Sequence, residues 1–113
     1  MHETGIITQA VHMAIEAAEH AGAGRVTRLR LRVGAMAGVV PEALRFGFDV
    51  VTKGTIAEGA ALEVDLVTVA CRCAAGCGTF SPPDAIFACP TCGRLSTDVV
   101  AGRELDVVEV EVG

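Results

Sequence analysis

The chain has no tryptophan and no tyrosine, and four phenylalanines supply all of its 4% aromatic content. Alanine, valine and leucine must therefore fill the core. The same shortage removes the stacking platforms that hold single-stranded nucleic acid. A net charge of −5 removes the basic face that nucleic-acid binding needs. No apolar run approaches the roughly 20 residues that span a bilayer, and no basic segment leads into an apolar run as in a secretory leader. Repeats and low-complexity tracts are missing. So is cysteine, everywhere outside positions 71 to 92.

What remains is a chain of 113 residues, 51% apolar, long enough for one domain or for one domain with a small inserted module. The absence of a leader and a span predicts a cytoplasmic protein. Thiols there stay reduced, so clustered cysteines read as metal ligands before disulfides. Five is also an odd number for a disulfide framework.

Ile7, Val11, Ala14, Ile15 and Ala18 recur at helical spacing and predict a helix over about 4–22, ended by Gly22 and Gly24. Leu29, Leu31 and Val33 alternate with Arg28, Arg30 and Arg32, which predicts a strand over 25–33, with Val26 out of phase. A loop follows over 34–38. Pro41 suits the first turn of a second helix over about 41–53, carrying Leu44, Phe48 and Val51, and Gly54 stops it. Leu62, Val64 and Leu66 predict a second strand. Leu105 to Val112 predicts a closing one, irregular at Val107-Val108. The fold class that follows is α+β: a three-stranded sheet with two helices and an inserted cysteine module. The domains expected are residues 1–69 with 97–113, and the insert 70–96.

Within the insert, Cys89-Pro90-Thr91-Cys92-Gly93 reads as a zinc-knuckle half, with amides aimed at two thiolates and a glycine for the tight turn. Its partner, Cys73-Ala74-Ala75-Gly76-Cys77-Gly78, has three intervening residues in place of two. Cys71 is a spare that competes with Cys73 or Cys77 as a ligand. Four thiolates close the shell of Zn(II), so such an ion is structural and not catalytic. Arg72 and Arg94 stand where they could offset the charge of the site.

The N-terminus offers a second metal signature. In Met1-His2-Glu3, the α-amine, the His2 backbone nitrogen and the His2 imidazole can close a chelate suited to square-planar Ni(II) or Cu(II). His12 and His20 read as solvated residues on the polar face of the first helix. No Ser/His/Asp arrangement, phosphate loop or open metal site stands out, which predicts a protein that is not an enzyme.

With these features in order, the chain resembles the HypA/HybF family of hydrogenase maturation nickel metallochaperones. The matching residues are Met1-His2-Glu3, Arg25-Val26-Thr27, Val33-Gly34, Phe48-Asp49, Thr52-Lys53-Gly54-Thr55, Ala57-Glu58-Gly59, Cys89-Pro90-Thr91-Cys92-Gly93, Gly102-Arg103-Glu104-Leu105 and Val108-Glu109-Val110-Glu111. They run the full length. The departure is the spacing of Cys73 and Cys77, where the family usually has two residues between cysteines.

The resemblance implies a carrier of one Ni(II), bound by His2 with the Met1 amine, the backbone nitrogens of His2 and Glu3, and Glu3 as helper or orienter. It implies a structural Zn(II) on Cys73, Cys77, Cys89 and Cys92. The partners implied are the GTPase HypB and the large subunit of a [NiFe]-hydrogenase, with urease a client of some relatives, and neither nucleic acid nor membrane. Monomer and homodimer both stay open. The alternative is a zinc-ribbon scaffold that carries no nickel.

Overall fold

A computed structural model describes residues 2–113, with the side chain of His2 and all of Met1 outside the described set. The chain orders as α1 (His2–His20), β1 (Val26–Gly34), a short 3-10 turn (Ala35–Ala37), α2 (Pro41–Val51), β2 (Ala61–Val67), β3 (Ala70–Arg72), β4 (Thr79–Phe80), β5 (Asp98–Ala101) and β6 (Leu105–Val112). The expected α+β class, two helices and three-stranded sheet are all present. That sheet has the order β2-β1-β6.

The chain divides into two compact units. The first comprises Met1–Arg32, Gly38–Asp65 and Leu105–Gly113; the second comprises Val33–Ala37 and Leu66–Glu104.

In the first unit, α1 buries Ile7, Ala10, Val11, Ala14 and Ala18, a stripe at helical spacing. The helix packs on α2 and β6. Pro41 starts α2 without using a backbone donor, as proline does at a first helical turn. Leu44 and Phe48 are the α2 residues that go inside. From β1 come Val26, Leu29 and Leu31, while the buried Val33 falls in the second unit. Val26 was expected to lie out of phase, yet it opens the strand and is fully buried, its N–H donating to Ile56 O at 2.9 Å.

Ion pairs fix strand direction on the far face of the sheet. Arg28 meets Glu63 at 2.6 Å and Arg30 meets Asp65 at 2.8 Å, so β1 and β2 advance together, as a crossover through α2 requires. On the other side, Gly113 N–H reaches Arg25 O and Gly34 N–H reaches Glu104 O, so β6 runs antiparallel to β1. Arg28 also pairs with Glu109 and Glu111. Its guanidinium is held above its ordinary pKa, first by the hydrogen bond to Glu111 and next by the one to Glu63.

The second unit holds a small sheet of order β4-β3-β5 that the sequence reading did not anticipate. Cys71 pairs with Phe80 on one side and Val99 on the other. Two- to four-residue strands carry too little alternation to be read from pattern. Gly34 and Gly102 meet here: a Cβ on Gly34 would stand 2.0 Å from Gly102 O, so only glycine fits.

The start of α1 departs from expectation. The helix was expected to begin at about residue 4. It begins at His2, and Glu3 in its first turn is buried. Glu3 falls on the line of Ile7, Val11 and Ala14, so the core-facing stripe extends to the helix start.

Candidate metal centre

Two knuckles build the site. In the second, Gly93 N–H donates back to Cys89 O at 2.8 Å and Cys89 N–H donates to Arg94 O at 2.9 Å, closing a turn that needs the positive φ of Gly93. In the first, Gly76 N–H donates to Cys73 O and Cys73 N–H to Gly78 O, with both glycines at positive φ. The extra residue between Cys73 and Cys77 is absorbed by this glycine-bounded turn.

The sulfurs of Cys73, Cys77, Cys89 and Cys92 all lie within 4.8 Å of one another. Cys73 Sγ and Cys92 Sγ are 3.6 Å apart. Four sulfurs at ~2.3 Å from a tetrahedral ion stand roughly 3.8 Å from each other. The cluster therefore has the size of a four-thiolate shell. Cys73 and Cys89 are buried, while Cys77 and Cys92 reach solvent. Cys71 is not one of the four. It is fully buried in β3.

Backbone amides dress the two buried sulfurs. N–H groups of Cys77 and then Ala75 point at Cys73 and lower its pKa to about 6. Those of Cys92 and Thr91 lower that of Cys89. Cys77 is pushed up to about 12, first by Cys73 and then by Cys92, because several thiolates in one place repel another. Such a set cannot fully ionise without a positive ion. Arg72, expected near the sulfurs, pairs with Asp98 at 3.2 Å.

One residue the sequence reading missed fastens the module. Ser96 Oγ donates to Arg72 O at 2.7 Å and accepts from Asp98 N–H at 3.1 Å, joining the second knuckle to β3 and β5. A lone serine carries no signal of such a role. Of the other histidines, His12 sits 76% exposed and pairs with Glu16 at 2.8 Å, as suits a solvated helix face. The chelate expected at Met1 and the His2 side chain falls outside the described residues. Among the described residues no helix is long and apolar enough to cross a membrane.

Residues 1–112 match the family profile described as hydrogenase/urease nickel incorporation, metallochaperone, HypA. A hydrogenase maturation factor HypA from Picosynechococcus sp. is 44% identical over 112 residues, covering 99% of each chain. One from Methylocella silvestris is 42% identical with the same coverage. Among solved structures, the solution structure of the Ni metallochaperone HypA from Helicobacter pylori aligns with a TM-score of 0.64 at 17% identity, covering 97% of this chain and 96% of that one. A second, titled the solution structure of HypA protein, reaches 0.73 at 17% identity, covering 100% and 97%. At that identity these two structures speak for the fold. The full-length profile match and the close relatives speak for descent, and the chain belongs to the HypA family of nickel-incorporation metallochaperones.

Proposed function

We propose that this protein binds one Ni(II) at its N-terminus and delivers it to the large subunit of a [NiFe]-hydrogenase in concert with HypB, while a structural Zn(II) holds its cysteine module. The observation that carries the reading is the match of residues 1–112 to the nickel-incorporation family. Urease maturation is a further outlet, since the same family description includes it. Nickel handling is assigned to residues 1–69 and 97–113, and zinc to 70–96. The compact unit around the cysteines is wider than this, because β5 hydrogen-bonds to β3.

For nickel the ligands are the Met1 amine, the His2 amide nitrogen and imidazole, and the Glu3 backbone. A helix that begins at His2 does not spend the His2 amide on its own ladder, because the first four N–H groups have no intrahelical acceptor. Glu3, an acid in the first turn, suits the positive end of the helix and orients the terminus. A chelate at a chain end has few supporting residues, so an incoming ligand can strip it. Release is what a carrier needs.

For zinc the ligands are Cys73, Cys77, Cys89 and Cys92. Bound there, zinc would supply only a closed tetrahedral shell. The chain's own part is to aim amides at Cys73 and Cys89 and so favour their thiolates.

Nickel titration into zinc-loaded protein tests both halves. His2→Ala should abolish specific nickel binding with zinc content unchanged, and so should a tag before Met1. Cys92→Ala should release zinc while nickel still binds. Unchanged nickel affinity in His2→Ala would move the site elsewhere. Full zinc retention by Cys92→Ala would overturn the ligand set. A zinc-loaded protein that takes no nickel at all would leave the scaffold reading in its place.

A further inference from the structure

Strand β6 is out of keeping with its neighbours. Of its eight residues, Leu105-Asp106-Val107-Val108-Glu109-Val110-Glu111-Val112, none is buried. β1 beside it buries five of nine. Five of the eight are leucine or valine, and Leu105, Val108 and Val112 are 54%, 39% and 40% exposed. The sheet order β2-β1-β6 leaves the outer edge of β6 with no partner strand among the described residues.

Beside that edge runs a mostly apolar groove of about 710 Å³, lined by Gly5, Ile6 and Met13 of α1 together with Leu105, Asp106 and Val107. Met13 stands 54% exposed on its wall. An extended segment added to the edge would place alternate side chains over the groove, because successive residues of a strand face opposite sides.

Charge selects the occupant. β6 carries Asp106, Glu109 and Glu111 and no base. A second copy pairing through the same strand would set carboxylates against carboxylates, and like charges across a ladder are destabilising. Arg28 meets Glu109 and Glu111 but also Glu63, so one cation faces three anions. Asp106 has no ion-pair partner among the described residues, and it lines the groove.

We infer that the outer edge of β6 and the groove against α1 form a docking site for an extended segment of a partner protein, one that alternates apolar and basic residues and adds as a fourth strand. The groove begins at Gly5 and Ile6, about one helical turn from His2. A partner seated there lies beside the start of α1. The inference does not depend on nickel, since the edge and groove are the same whether or not the terminus binds an ion.

The test uses the full-length zinc-loaded protein and a synthetic eight-residue peptide alternating valine and lysine. One edge of the peptide is N-methylated so that it cannot pair with itself. A valine–glutamate peptide is the control. Amide hydrogen exchange is followed across residues 105–112. At ten times its Kd the lysine peptide should slow exchange in that window about tenfold, and the glutamate peptide should not.

Asp106→Lys and Met13→Glu, neither of them in the core, should each weaken the lysine peptide at least several-fold with the thermal midpoint of the protein held. Nickel titration of the same samples should be unaffected by either variant. If neither peptide protects 105–112, the carboxylates serve only to keep the edge unpaired, and the inference fails. It also fails if both peptides protect equally, or if protection appears with rising protein concentration alone, which would assign the edge to a second copy.

Discussion

Cys71 and Cys73 are two residues apart, and the fold gives them opposite lives. Cys71 is locked between β4 and β5, whereas Cys73 turns its sulfur into the cluster. Cys71→Ala is therefore expected to keep a full complement of zinc, measured as metal content on purified protein. The pKa pattern of the four clustered thiols predicts how loading responds to acid. Cys73, lowered to about 6, is largely ionised at neutral pH, whereas Cys77, raised to about 12, keeps its proton until metal displaces it. As pH falls through about 6, Cys73 takes up a proton, and each metal bound must then displace one more. Proton release per zinc, read with an indicator dye in weak buffer, should rise below pH 6 and affinity should fall more steeply there. A release independent of pH would contradict the assignment. The knuckle around Cys89 was legible because its spacing is fixed by backbone geometry. Which of Cys71, Cys73 and Cys77 cluster with that knuckle was not, because it turns on which residue the short strand β3 removes from the loop.

Among the elements, α1 and α2 were legible from their apolar periods, and so was the start of α2 at Pro41, whereas both ends of α1 and the close of α2 were not. The first turn of α1 was missed because His2 and Glu3 look polar, although Glu3 continues the inward stripe. Strands β3, β4 and β5 escaped for a different reason: their pairing is imposed by the knuckles and by Ser96 and not by alternation. The helix–sheet core carries a plain expectation. Leu44 is fully buried where α2 packs on its neighbours, and Leu44→Ala should cost about 2–5 kcal/mol in chemical denaturation. That is a large share of the roughly 5–15 kcal/mol a domain of this size holds. A loss under ~1 kcal/mol would mean that α2 is not part of the core. Arg28→Ala should lower the thermal midpoint too, by leaving Glu63, Glu109 and Glu111 to repel one another. Added salt should shrink that difference, since screening weakens exposed charges.

For the whole molecule, the two units draw stability from different sources. The first has an apolar core, whereas the buried set of the second is largely Cys71, Cys73, Cys89 and Ser96. A chelator should therefore abolish exchange protection around residues 70–96 before that of α1 and β1, because metal binding energy is folding energy in such modules. Simultaneous loss in both would refute the separation. The chain also visits its two units in an uneven order. It begins the first, makes the whole cysteine-bearing stretch, and only then supplies β6 from residues 105–112. During synthesis, then, the cysteine cluster is complete before the three-stranded sheet is. For that interval β1 has an open flank where β6 will sit, and Leu29, Leu31 and Val33 wait on a two-stranded ribbon. Residues 105–112 complete the first unit only after the cysteine cluster has been made, so a nascent chain can close that cluster, and load a metal ion there, while the first unit is still unfinished.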